Sequence, residues 1–292
     1  MALGNEGNGK RVVITGGARG IGYGLAAAFM DRGASVVISG RTRSTIDEAV
    51  ASLRRVADPG AASSTADRTQ SGTGRIFGTP CDVTSYDQVQ ALWNFGRDTL
   101  GGVDIWINNA GLGQAQGDLE TLPVDLISSI IQVNCTGALY GCRVALKGMK
   151  AQGHGAIYNL EGLGSQGTKI RGMAVYGASK RALAYITDSL AMETKDTPII
   201  VGSLLPGMTV TDLITAEYRD KPEEWAKVER IFNILSDRVE TVAPWLVRKM
   251  LANRKNGARF NWLTTRKVLS RFLSAPFITR AVFKEEEKPS RS

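Results

Sequence analysis

Residues 11–30 constrain the fold more than any other part of the chain. The apolar, β-branched run at residues 11–15 reads as a buried strand. It runs directly into Gly16-Gly17-Ala18-Arg19-Gly20-Ile21-Gly22, and an alanine-rich helix over residues 25–30 follows. In this setting glycines have a chemical meaning. Without side chains, the backbone amides and the positive end of the following helix can approach a pyrophosphate. The stretch therefore predicts a doubly wound, Rossmann-type α/β sheet with a dinucleotide at its carboxyl edge, contacted by Gly16, Arg19, Gly20, Ile21 and Gly22.

The second strand, residues 35–39, carries the specificity signal. An NAD enzyme normally ends this strand in an acid that holds the ribose hydroxyls. Here the position is Arg41, with Arg43 two residues on and Arg19 in the loop behind. Guanidinium groups suit the 2′-phosphate of NADP, which an acid would repel, so the expected cofactor is NADPH (NADP+). The competing reading is a solvated loop with incidental charges.

Strands are further expected at residues 75–79, 103–107, 156–160, 199–205 and 258–263, seven in all with the first two. Helices are expected at residues 44–56, with Ser44 as N-cap, and at 86–99, 123–150 and 175–192. Residues 58–74 are small, polar and glycine-rich and predict a surface loop. Asp82, followed by Val83, lies at the carboxyl end of the third strand, within reach of an adenine. The fourth strand ends in Asn108-Asn109-Ala110-Gly111, small residues that leave room for a ribose. Asn134 interrupts an apolar helical stretch, where a satisfied core amide competes with a catalytic role.

Tyr176 and Lys180 stand four residues apart on the helix at 175–192, close to one turn, so both project from one face. A cation held beside a phenol favours phenolate and is expected to draw the phenol pKa toward neutrality. Such a tyrosine can protonate a carbonyl oxygen. A half-buried tyrosine beside a solvated lysine is the alternative for this spacing alone.

Composition excludes several other chemistries. With 43% hydrophobic residues in 292, the chain can bury a substantial core. Cys81, Cys135 and Cys142 are an odd number without close pairing, which suits free thiols in a reducing compartment, and no metal site is expected. His154 is the sole histidine, lies between glycines and lacks a nucleophile elbow, so it reads as a turn residue rather than part of a hydrolase triad. Residues 1–10 form a polar tail with no signal or transit pattern, and no run reaches the roughly 18 apolar residues of a spanning helix. The expected location is cytoplasmic, with peripheral membrane contact at most.

The strings TGGARGIG, NNAG, YGASK and PGMTVT, in this order, closely resemble the short-chain dehydrogenase/reductase family over residues 11–263. The resemblance implies Gly16, Gly20 and Gly22 at the pyrophosphate, Asp82 at the adenine, and Asn109 with Ala110 and Gly111 near the adenosine ribose. It implies Tyr176 as proton donor, Lys180 on the nicotinamide ribose, and Asn134 anchoring a water in the proton relay. Pro206, Gly207, Thr209 and Thr211 then flank the nicotinamide, with Thr211 at its carboxamide. The family also assembles as dimers or tetramers through the helices carrying Asn134 and Tyr176. One position departs from its pattern: the serine after strand five is replaced by Gly162. Ser165 is the only nearby hydroxyl that could substitute, and Glu161 is the other polar group at hand. The segment at 159–165, with those at 231–243 and 260–273, resembles the chlorophyll b reductase branch, which implies reduction of a 7-formyl group to hydroxymethyl. A broad carbonyl or 3-oxoacyl reductase and an idle NADP-binding scaffold are the alternatives.

The domain is expected to span residues 11–264, with a substrate lid at about 208–239. The lid holds Tyr218, Trp225, Ile231, Phe232, Ile234 and Leu235, which either cover a flat apolar substrate or pack the lid's own core. Residues 246–281 contain nine Lys or Arg and no acid, placing the +8 excess in the C-terminal part. Residues 266–273, within the 265–292 extension, form a basic amphipathic helix that can meet an anionic membrane, dock on a partner subunit or shield the domain. Nucleic acid is not an expected partner, since no groove-reading motif accompanies the charge.

Overall fold

The computed structural model describes residues 7–57, 74–211, 218 and 220–283. Seven parallel strands form one sheet: β1 (Arg11–Ile14), β2 (Ser35–Gly40), β3 (Ile76–Pro80), β4 (Ile105–Asn108), β5 (Gly155–Leu160), β6 (Ile199–Leu205) and β7 (Arg259–Asn261). Their order is β3-β2-β1-β4-β5-β6-β7, so the winding reverses between β1 and β4. Strands buried on both faces must be apolar throughout. Val12 and Ile14 join one core layer while Val13 joins the other, and Trp106 opposes Ile105 and Ile107 in the same way.

Helices α1 (Gly20–Met30) and α2 (Arg43–Ala57) cover one face, and α3 (Tyr86–Leu100) and α5 (Ala138–Gln152) the other. Ser85 caps α3 by accepting from the Gln88 amide, and Gly101 closes it in the left-handed region. The expected cap at Ser44 is not realised, because α2 already begins at Arg43 and encloses that serine. Of the loop expected at 58–74, only Gly74 falls among the described residues. His154 occupies the turn into β5, with its ring beside Asp104 Oδ1 at 3.0 Å and close to Arg11.

The helix expected over 123–150 is in fact three pieces: α4 (Val124–Ile131), a π-turn at Gln132–Gly137, and α5. Helix α6 (Ala174–Glu193) carries Tyr176 and Lys180, and α7 (Pro222–Leu235) belongs to the lid, of which residues 212–217 lie outside the described set. Sequence reading missed α8 (Val239–Ala252). It buries Val242, Leu246 and Val247 against the layer that contains α1.

The lid aromatics pack on one another. Trp225 lies edge-on to Tyr218 at 5.7 Å and to Phe232 at 5.9 Å, and Phe283 from the C-terminal segment closes the group at 4.9 Å from Trp225. They form a small core of their own, while Ile231 stays exposed.

Helix α9 (Thr265–Ser274) is capped by Thr264 and turns Lys267 and Arg271 inward, while Arg266 is exposed. Arg271 donates to Asp237 Oδ2 at 2.6 Å, Arg280 to Oδ1 at 2.8 Å, and the Trp262 indole to Oδ2 at 2.6 Å. Lys267 lies 3.2 Å above the Trp262 ring. Burial opposes the Asp237 charge, yet Arg271 and Trp262 hold its carboxyl below the usual range. Leu269, Phe272, Leu273 and Phe277 are left facing outward. Among the described residues no helix is long and apolar enough to cross a membrane.

Asp237→Asn leaves three cations and an indole without their shared charge. Arg280 and Lys267 keep partial access to water, so a loss of about 2 kcal/mol is expected in urea unfolding. An unchanged midpoint would give this clamp no weight in stability.

Candidate active site

The carboxyl ends of β1 and β4 come together first. Gly16 adopts φ 63°, and a Cβ there would meet Ala110 Cα at 2.8 Å, so only glycine allows this approach. Asn109 seals the contact, its Nδ2 donating to the carbonyls of Thr15 and Gly16, each at 2.8 Å. The Thr15 hydroxyl accepts from the Asn109 and Ala110 amides. The expected ribose contact, Asn109, thus first serves to fix the glycine loop. Arg19 precedes α1 in extended conformation, and no acid occupies the first turn of that helix. The loop Gly16–Gly22 therefore exposes the positive end of α1 without opposing charge, a cradle that fits a pyrophosphate.

At the end of β2 Arg41 is exposed and makes no hydrogen bond among the described residues, whereas Arg43 is drawn back to Asp47 at 2.9 Å. Of the two arginines placed here by sequence, one guanidinium is available to a ligand phosphate. The Asp82 carboxylate lies past β3 and accepts from the amide and hydroxyl of Thr84. Val83, Ala110 and Thr15 border one small crevice on this edge.

Tyr176 lies in the first turn of α6, where backbone amides lack helical partners. The side chain of Gln114, which sequence reading missed, accepts from the Tyr176 amide at 2.9 Å and donates to the Gly172 carbonyl at 2.6 Å. Farther along, Ser179 donates to the Tyr176 carbonyl at 2.7 Å and accepts from Asn134 Nδ2 at 3.0 Å. The remaining bonds of Asn134 join it to the amide and carbonyl of Leu112, at 2.8 and 2.9 Å. The π-turn presents Asn134 inward, and all three of these contacts satisfy it as a core amide. Sequence periodicity gives no signal for such a turn.

Lys180 is buried and donates to the Leu160 carbonyl at 3.0 Å, with Nζ 5.7 Å from the Tyr176 ring centre. The two side chains do share one face, but the phenol does not move toward neutrality. Burial pushes Tyr176 up to about 12. Burial also pulls Lys180 down to about 8, against the opposing charge of Glu161. Desolvation is the leading cause for both groups.

The strand-five loop places Gly162, the position where the family carries serine, against Tyr176. Gly162 faces the phenol so closely that a Cβ would stand 2.7 Å from Tyr176 Oη. Ser165 is buried, and its hydroxyl has no partner, so it makes no hydrogen bond to Tyr176. Glu161 is buried too, its Oε1 accepting from Ser203 on β6. Past β6, Pro206 and Gly207 lead to buried Thr209, and Thr211 lies opposite the glycine loop, 3.4 Å from where a Gly20 Cβ would be.

The profile described as short chain dehydrogenase matches residues 10–222. A probable chlorophyll(ide) b reductase of Oryza sativa subsp. japonica is 33% identical over 95% of this chain, which spans 54% of that relative's length. A second chlorophyll(ide) b reductase of the same organism is 32% identical over 90% of this chain and 74% of its own. Among solved structures, a short chain dehydrogenase from Burkholderia cenocepacia in complex with NADP is 25% identical with a TM-score of 0.70, covering 87% of this chain and 97% of that one.

Asn109→Asp sets a carboxylate against two carbonyl oxygens that now receive hydrogen bonds. The expected loss is about 2 kcal/mol in urea unfolding, and Asn109→Ala should cost less, since it removes donors without adding repulsion. Equal stability of the two variants would contradict the seal described here.

Proposed function

The chain belongs to the short chain dehydrogenase family, and we propose that it is an NADPH-dependent reductase of a bulky apolar aldehyde, namely the 7-formyl group of chlorophyll b or chlorophyllide b. The observation that carries the reaction type is the pairing of Tyr176 and Lys180 on one face of α6, with Lys180 Nζ 3.6 Å from where a Cβ of Gly111, at the end of β4, would be. The substrate class is supported by the likeness to two chlorophyll(ide) b reductases over nearly the whole chain.

Gly16, Gly20, Gly22 and the end of α1 would hold the pyrophosphate, and Arg41 would meet the 2′-phosphate. When bound, NADPH supplies a hydride for the carbonyl carbon. Tyr176, protonated up to about pH 12, gives its proton to the carbonyl oxygen as negative charge develops there. Lys180, an ammonium up to about pH 8, stabilises the phenolate left behind. Reduction is therefore expected below that pH and falls away above it. Gln114, Ser179 and Asn134 do not react. They fix the first turn of α6, so the phenol is held in place before substrate arrives.

A scaffold that binds NADP without turnover is the second reading. It is favoured by Gly162, which leaves no hydroxyl beside the phenol.

Following NADPH consumption with chlorophyllide b, and identifying the hydroxymethyl product, tests the leading reading. Tyr176→Phe should lower kcat/KM by roughly 10²- to 10⁴-fold with NADPH affinity preserved. Absence of NADPH oxidation in the unaltered protein would instead support the scaffold. Arg41→Ala should weaken NADPH about tenfold and leave NADH unaffected, measured as Kd by fluorescence titration. Equal effects on both nucleotides would remove Arg41 from the phosphate.

A further inference from the structure

Glu161 has no part in the mechanism above, yet its placement is costly. The residue is 2% exposed, one carboxylate oxygen accepts from Ser203, and the other, Oε2, has no hydrogen-bond partner. A buried carboxylate short of partners is destabilising unless a nearby charge compensates it. Lys180 is buried against the residues on either side of Glu161, donating to the Leu160 carbonyl and lying 3.5 Å, at Cε, from where a Gly162 Cβ would be. Ser203 fixes one carboxylate oxygen on the side of β6, and the Glu161 amide is pinned to the Leu204 carbonyl at 2.9 Å. The acid is therefore held at the end of β5 through one carboxylate oxygen and its amide.

We propose that Glu161 is a positioning residue for the Tyr176–Lys180 pair, its buried carboxylate being the fixed counter-charge that keeps Lys180 an ammonium at the catalytic edge. The inference rests on the reductase reading for its consequence in turnover, though not for the interaction itself. Other titratable groups facing Lys180 are the Cys135 thiol of the π-turn and the Tyr176 phenol on its own helix. Burial raises the Cys135 thiol, so it stays neutral and supplies no charge at neutral pH. Glu161 is the larger of the two groups that oppose the desolvation of Lys180. It occupies the strand-five end, one residue before the glycine that stands where the family carries serine. The phenol thus has its closest neighbour reduced to a hydrogen, while the residue beside it provides charge to the lysine instead.

The test is an NMR titration of cofactor-free protein carrying isotope-labelled lysine, with Lys180 assigned through Lys180→Arg. In Glu161→Gln the Lys180 midpoint should fall by about one pH unit, while Glu161→Asp, which keeps the charge, should stay near the unaltered protein. Glu161→Ser is a second neutral variant, so whichever of the two retains a native near-ultraviolet spectrum carries the measurement. In pH profiles of carbonyl reduction, the neutral variants should move the alkaline limb down by the same amount and regain turnover at lower pH. A merely structural role would lower turnover at every pH and leave the limb in place. An unmoved Lys180 midpoint in the neutral variants, or an equal fall in Glu161→Asp, overturns the proposal. The titration needs no substrate, so failure of the reductase reading appears separately, as a shifted midpoint in a protein that reduces no carbonyl.

Discussion

The approach of the β1 and β4 crests, closed by the Asn109 amide on two carbonyls, is the constraint from which the site follows. The strand order reverses at this junction, so the loops after β1 and β4 diverge to opposite sides and leave a crevice at the carboxyl edge. Gly16 makes the approach possible and Thr15 binds both sides of it. Everything chemical then lies along one rim: the bare N-terminus of α1 at one end, the phenol and amine of α6 at the other.

Along that rim burial, more than pairing, sets the charge states. Desolvation drives Tyr176 and Lys180 in opposite directions, each toward its neutral form. The outcome suits a proton donor at neutral pH. The phenol keeps its hydrogen until an oxygen arrives to take it, and the amine still carries charge because a carboxylate lies behind it. Local geometry is held by groups that never meet a substrate, since Gln114 and Ser179 bond the backbone of Tyr176 rather than its ring.

Strands and most helices could be read from the chain because β-branched runs and glycine turns are local signals. The four ordered motifs likewise pointed to the edge where Gly16, Asn109, Asn134, Tyr176 and Lys180 now stand. What escaped has non-local causes. Helix α8 contains Pro244, which interrupts the helical pattern, yet burial of Leu246 and Val247 against α1's layer sustains it. The π-turn at Gln132–Gly137 depends on the Leu112 backbone offering partners to Asn134. Gln114 caps a helix sixty-two residues away in sequence. The sign of the Tyr176 shift also could not come from spacing, because it is governed by enclosure.

The inward-facing cations Arg271 of α9 and Arg280 beyond it reverse the usual relation between hydropathy and tolerance to change. Arg271 and Arg280 meet at Asp237, whereas Leu269 and Leu273 point to the exterior. Over sequence drift, Arg271 and Arg280 should behave as a core does, resisting replacement, and the leucines of α9 as a surface does, accepting polar substitutes at little cost to folding. A hydropathy plot of the same residues would rank them the other way round.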